Sequence, residues 1–108
     1  MSYIICSHNV LSMSYAIYIV ASKDQGTIYI GVTNNIARRI WEHKQGVVDS
    51  YTKRYAVNRL VYVEWFDNIE AAIKREKQLK NWQRRWKISL IESDNPYWRD
   101  LYFDLCPE

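Results

Sequence analysis

The sequence predicts an α/β (α+β) domain of three strands and three helices, and three observations carry that reading. Two short runs rich in aromatic and β-branched residues, Tyr15 to Ala21 and Thr27 to Val32, flank the polar turn Lys23-Asp24-Gln25-Gly26, which is the pattern of a β-hairpin. A third such run, Arg59 to Phe66, lies well downstream. Between and after these runs, apolar residues recur at three-and-four spacing behind helix-starting residues. With 108 residues, 48% of them hydrophobic, the chain can bury one core and is too short for two.

The opening twelve residues show no sustained period, so residues 1–14 read as an N-terminal arm, with Met13 a candidate internal start. The domain is expected over 15–101 and a tail over 102–108. After the hairpin, Thr33 and Asn34 suit a helix N-cap, and Ile36, Ile40 and the stem of Lys44 recur at helical spacing to about Gln45. Gly46 suits the end of that helix, because glycine adopts the left-handed cap without penalty. A polar loop then leads to the third strand. Asp67-Asn68-Ile69-Glu70 has the side-chain pattern of a capping box, which predicts a helix from about Ile69 to Trp82. A further helix is predicted from Arg84 to about Ser93 and must stop at Asn95-Pro96, since proline drives its predecessor out of helical geometry. The segment Tyr97 to Glu108 is expected to fold back over the domain.

Composition excludes some function classes. No stretch approaches the roughly 18 to 20 uninterrupted apolar residues of a membrane-spanning helix, and the opening lacks a basic region followed by a long apolar block. No membrane association and a cytoplasmic location are expected. Cys6 and Cys106 lie near opposite termini, without the close spacing of a zinc site or redox pair, and are expected as free thiols. The net charge is only +3, but Lys74, Arg75, Lys77, Lys80, Arg84, Arg85 and Lys87 face a single Glu76 within one stretch. Interleaved with Trp82 and Trp86, that stretch reads either as a surface that tracks a nucleic-acid backbone and stacks on bases, or as a solvated helix face.

Some side chains stand in positions that invite chemistry. Arg39 and His43 are four apart, so they project from one helix face beside Ile36 and Ile40. In the next long helix Ile69, Ala72, Ile73, Glu76 and Leu79 follow the spacing of a buried stripe. A carboxylate there asks for a cation, a metal or a cleft, and Lys80 one turn on offers the simplest alternative, an ion pair. Tyr18 and Tyr29 sit centrally in the hairpin strands, where tyrosine is most often a packing residue.

Taken in order, these residues form a recognisable set. Ala16-Ile17-Tyr18, then ten residues, then Tyr29-Ile30-Gly31 resembles the paired signature of the GIY-YIG nucleases, with Ala16 in place of the first glycine. Arg39 ten positions after the second tyrosine, His43 one turn later and Glu76 on the following helix continue the resemblance. The segments Arg75 to Trp82 and Asn95 to Leu101 resemble the small stand-alone bacterial members. The resemblance implies a small three-stranded β-sheet flanked by helices, with Tyr18, Tyr29, Arg39, His43, Glu76 and Asn95 converging on one face. It further implies a metal-dependent endonuclease acting on DNA, structure-directed rather than sequence-specific in the absence of an attached recognition domain. Glu76 is then expected to hold Mg2+, for which Mn2+ can substitute, and Arg39 to grip the phosphate. Tyr29 is the expected base, although on reference pKa values alone His43 is the better one. Lys74, Lys77, Lys80, Arg84, Arg85 and Lys87 are the expected DNA contacts. Two rival readings are a DNA-binding module that does not cut and a protein-interaction domain displaying Trp41, Trp82, Trp86, Tyr97 and Trp98.

Overall fold

The computed structural model describes residues 14–47 and 50–105; most of the N-terminal arm, Met13, Cys6, Cys106 and the end of the tail lie outside them. Strands β1 (Tyr15–Ala21), β2 (Ile28–Thr33) and β3 (Arg59–Phe66) form one antiparallel sheet in the order β2-β1-β3. The first two strands are the predicted hairpin, closed by Ser22 N–H donating to the Thr27 carbonyl at 2.9 Å. Because β1 is central, its alternating side chains feed two cores. Ile17, Ile19 and Ala21 pack with Val61, Leu79, Ile91 and Trp98 on one face, while Ala16, Tyr18 and Val20 pack with Ile36, Ile40, Val57 and Leu60 on the other. Each fully buried Ile or Leu here stabilises the fold by about 1.5–3 kcal/mol.

Helix α1 (Ile36–Gln45) covers the Tyr18 face. Its N-cap is Asn35, whose side chain accepts from Arg38 N–H, rather than the expected Thr33 or Asn34; the Thr33 hydroxyl instead accepts from Asn35 N–H at 3.0 Å. Gly46 ends the helix at φ 73, as its position suggested. The polar loop contains a short helix, α2 (Ser50–Arg54), that the sequence did not announce. Helix α3 (Ile69–Asn81) starts at Asn68, which accepts from Ala71 N–H at 3.0 Å, one position later than an Asp67 cap. Helix α4 (Arg84–Asp94) follows after a break at Trp82 and ends at Asn95. Both α3 and α4 pack on the Ile17 face through Leu79 and Ile91.

The start of the outer edge of β3 is covered by the chain that follows α4. Leu101 N–H donates to the Leu60 carbonyl at 2.7 Å, and Asp100 accepts from Leu60 N–H. A short α5 (Tyr102–Leu105) then rests beside the Tyr18-face core. Covering this end with chain shortens the open template for strand pairing.

Candidate functional site

Tyr18 is 2% exposed, and its hydroxyl lies 3.0 Å from Nε2 of His43, itself 3% exposed. Tyr29, on the neighbouring strand, completes a three-ring cluster: ring centroids stand 6.5 Å apart for Tyr18 and Tyr29, 5.4 Å for Tyr18 and His43, and 5.6 Å for Tyr29 and His43. Two strands and one helix therefore bring three titratable rings together. Gly31 makes room for them, because a Cβ there would overlap the Tyr18 hydroxyl and ring.

Arg39 lies one turn before His43 on α1. Its side chain is 39% exposed and its Nε stands 3.6 Å from Glu42, which Arg38 also approaches at 3.3 Å. Together with Thr33, Asn34 and Asn35 these residues line an open polar cleft of about 440 Å³ at the start of α1. The arginine fork is thus loosely held and opens on a cleft able to take a phosphodiester.

Glu76 reaches the site by a different route from the one expected. α1 and α3 pack on opposite faces of the sheet, so the five residues do not share one sheet face. The link instead runs past β2. The Glu76 side chain, 16% exposed, pairs with Lys80 at 2.9 Å, and the Lys80 ammonium stands 5.9 Å from the Tyr29 ring centroid. Glu76 thus has the ion pair allowed for in its sequence context and is also joined to Tyr29 by that cation. As an i,i+4 pair open to solvent on one side, it contributes only about 0.3–0.5 kcal/mol.

Asn95, expected among the converging residues, is not joined to this cluster by any contact described. Its amide donates to the carbonyls of Val61 (3.2 Å) and Arg99 (2.8 Å), and its oxygen accepts from Arg99 N–H at 3.0 Å. The reason lies in the β1–β3 register, which pairs Ile19 with Tyr62 but Val20 with Leu60. Val61 is the bulged extra residue, and the Asn95 amide satisfies its carbonyl at the sheet edge opposite β2.

The basic stretch divides in the same way. Lys74, Lys77 and Arg85 are exposed and enter none of the salt bridges among the described residues. Arg84, also among the expected DNA contacts, is tied to the hairpin turn, donating to the carbonyls of Gln25 (2.8 Å) and Gly26 (2.6 Å). Lys87 reaches the Lys80 carbonyl at 3.4 Å. Trp86 is 47% exposed and meets the half-buried Trp82 edge-on at 6.1 Å. Trp98, expected on the surface, is fully buried and donates its indole N–H to Glu92 at 2.8 Å.

One network had no sequence signal, since its members are separated along the chain and join only in the fold. Glu64 on β3 takes a bidentate grip from Arg75, both contacts at 2.9 Å, and accepts from the Tyr62 hydroxyl at 2.6 Å. Burial opposes ionisation of Glu64, but the hydrogen bonds from Arg75 and Tyr62 and the guanidinium charge outweigh it and hold the carboxyl below its usual range. Burial, then the hydrogen bond and charge of Glu64, push the Tyr62 hydroxyl well above the ordinary tyrosine value. Arg75 also lies 5.3 Å from the Trp82 ring centroid, and its grip on Glu64 ties α3 to β3 beside the basic stretch.

No group of three or more His, Cys, Asp or Glu side chains suited to a metal is found among the described residues. Glu76 by itself still fits a magnesium-type ion, which keeps most of its water and accepts a single protein carboxylate. Its carboxylate is mostly shielded and already balanced by one movable cation.

Comparison with known proteins identifies the family and the fold. A family model described as the GIY-YIG catalytic domain matches residues 14–89. A UPF0213 protein of Staphylococcus saprophyticus is 43% identical over 75 residues, 69% of this chain and 90% of its own. A UPF0213 protein of Clostridium perfringens is 40% identical over 81 residues, covering 75% and 85%. The solution NMR structure of a UPF0213 protein from Bacillus halodurans superposes with a TM-score of 0.51 at 28% identity, covering 82% of this chain and 94% of that one.

Proposed function

The chain belongs to the GIY-YIG family, and from that premise we propose that it is a divalent-metal-dependent endonuclease that hydrolyses DNA phosphodiesters, directed by DNA structure rather than sequence. The observation that supports this most is the Tyr18–His43–Tyr29 cluster with Glu76 and Lys80 at its rim. Tyrosine rings used only for packing do not need a buried histidine between them.

Hydrolysis needs an activated water, a partner for the charge that builds on the phosphate, and help for the leaving oxygen. Arg39 binds the non-bridging oxygens through its planar fork from the cleft at the start of α1. Tyr29, acting through its phenolate oxygen, accepts the proton of the attacking water and becomes the neutral hydroxyl. Tyr18 and His43, hydrogen-bonded to each other, hold that water and the phosphate in line. Glu76 would hold Mg2+, or Mn2+ in its place; when bound, the ion supplies positive charge to the departing oxygen and favours ionisation of nearby hydroxyls. Lys74, Lys77 and Arg85 attract the backbone, and Trp86 offers a face on which a base can stack.

Labelled linear, flapped, forked and four-way DNA, incubated with Mg2+ or Mn2+, test the reading. Cleavage that requires metal and favours one branched form is expected. Binding without metal-dependent turnover would make the chain a DNA-binding module, and salt-insensitive or absent DNA binding would favour a protein-interaction domain.

A further inference from the structure

We propose that Lys80 is the resident counter-cation of the metal site: it occupies the Glu76 carboxylate while no metal is bound, and metal binding displaces it toward the substrate phosphate beside Tyr29. This rests on the reading of Glu76 as the metal ligand and adds a residue to it.

The geometry carries the inference in three steps. Glu76 is 16% exposed, too shielded for water to neutralise fully, and Lys80 answers it at 2.9 Å. A divalent ion at that carboxylate would stand next to the ammonium, and the two like charges repel each other across the shared anion. The flexible lysine, already 48% exposed, is the one able to yield to that repulsion. Its direction is marked by its second neighbour. The ammonium stands 5.9 Å from the centre of the Tyr29 ring, so the stem already leads past β2 toward the ring cluster. Arg38 and Arg39 pair with Glu42, but neither of those pairs spans from a candidate metal ligand to the candidate base. A lysine released there would meet the phosphate that Arg39 grips from the other side. Metal and phosphate would therefore favour each other's binding through Lys80, and by linkage the effect must be reciprocal.

The test measures Mn2+ binding to the full chain by electron paramagnetic resonance, with and without a duplex that is not cut under the conditions used. Lys80→Met removes the competing charge and should tighten Mn2+ in the free protein by about twofold, the fold-change that matches an exposed i,i+4 pair, while weakening the mutual enhancement between Mn2+ and DNA. Lys80→Arg keeps the charge and should behave as the parent does. Melting temperatures check that each variant is folded, which exposure of the lysine favours. Mn2+ affinity unchanged or lower in Lys80→Met, with binding abolished by Glu76→Gln, overturns the role of Lys80 and leaves Glu76 as metal ligand. Mn2+ bound equally by the parent and Glu76→Gln overturns both assignments.

Discussion

Gly31 stands directly opposite Tyr18 across the β1–β2 pair, and the tyrosine ring lies over the space that a side chain at Gly31 would fill. The second glycine of the signature is thus a cavity for the first tyrosine. Gly31→Ala must push the ring or the backbone aside, and overpacking of this kind costs about 1–3 kcal/mol. The substitution is expected to lower the melting temperature and to reduce cleavage in the molecules that stay folded, because Tyr18 can no longer meet His43. Full activity with an unchanged melting temperature would show that the ring is not held by this fit.

Tyr18→Phe keeps the ring and removes only the hydroxyl that lies 3.0 Å from His43 Nε2. Both groups are buried, so the loss leaves a polar nitrogen without that partner and costs about 1–3 kcal/mol. On the proposed function, in which the pair orients the reaction while Arg39 and the lysines hold the substrate, turnover should fall much further than DNA affinity. Equal losses in turnover and affinity would assign Tyr18 to binding alone.

The hairpin, the bounds of β3 and the long helices were legible because each depends on local pattern: period-two runs, three-and-four spacing, and caps within a few residues. Helix α2 was not, since five residues offer no period; Val57 N–H reaching the Thr52 carbonyl at 2.9 Å helps fix its end. The caps were displaced by one or two residues because Thr33 and Asn35, like Asp67 and Asn68, have interchangeable side-chain chemistry, and only backbone direction selects between them. The ordered residues Tyr18, Tyr29, Arg39, His43 and Glu76 could be named as candidates because their order resembles the GIY-YIG signature. Their arrangement around β2 could not, because the sequence does not tell which sheet face each helix covers. Arg84, Trp98 and the Tyr62–Glu64–Arg75 network were hidden for the same reason: their partners are brought up by tertiary folding.

The Glu64 network gives stability a defined pH response. Its carboxyl is held below the ordinary value of 4.5 in the folded chain, so its contribution is complete above that value and is lost as pH falls through the lowered one. Tyr62 is raised above its ordinary 10.0, so its contribution is complete below that value and is lost as pH rises beyond it. Urea unfolding across both ranges should show Glu64→Gln less stable than the parent at neutral pH, with the gap narrowing in acid. Tyr62→Phe should flatten the alkaline loss. A gap that persists undiminished in acid would mean that the charge of Glu64 contributes nothing.

Arg84 and Arg85 are adjacent in sequence and separate in role. Arg84 holds the hairpin turn through the Gln25 and Gly26 carbonyls, whereas Arg85 is exposed. Arg85→Glu should weaken DNA binding and reduce the slope of log affinity against log salt by about 1, with little change in stability. Arg84→Glu should instead destabilise the fold by about 1–2 kcal/mol, the worth of charge-assisted bonds that are partly open to water. If Arg84→Glu also changes the salt slope in the folded protein, the turn contact does not hold it away from DNA.

Asn95 offers the clearest separation of site from scaffold. Its amide spans three backbone groups, and one of them, the Val61 carbonyl, belongs to the bulged residue without a partner in the β1–β3 register. Asn95→Ala leaves these groups without that amide in a largely buried setting, and the expected cost is about 2–4 kcal/mol, given roughly 1–3 for each buried group left unsatisfied and partial relief by water. For a domain of this size each kcal/mol lowers the melting temperature by about 4–8 °C, so the variant should be easy to recognise by its thermal transition. Asn95→Asp keeps the oxygen that accepts from Arg99 N–H but points a second oxygen at two carbonyls, so it should be no more stable than the alanine variant. Because the cluster of Tyr18, Tyr29 and His43 lies toward the other side of the sheet, cleavage measured at low temperature, where both variants are folded, should match the parent. A variant that melts like the parent but cleaves far more slowly would reverse this, and would return Asn95 to the reaction centre.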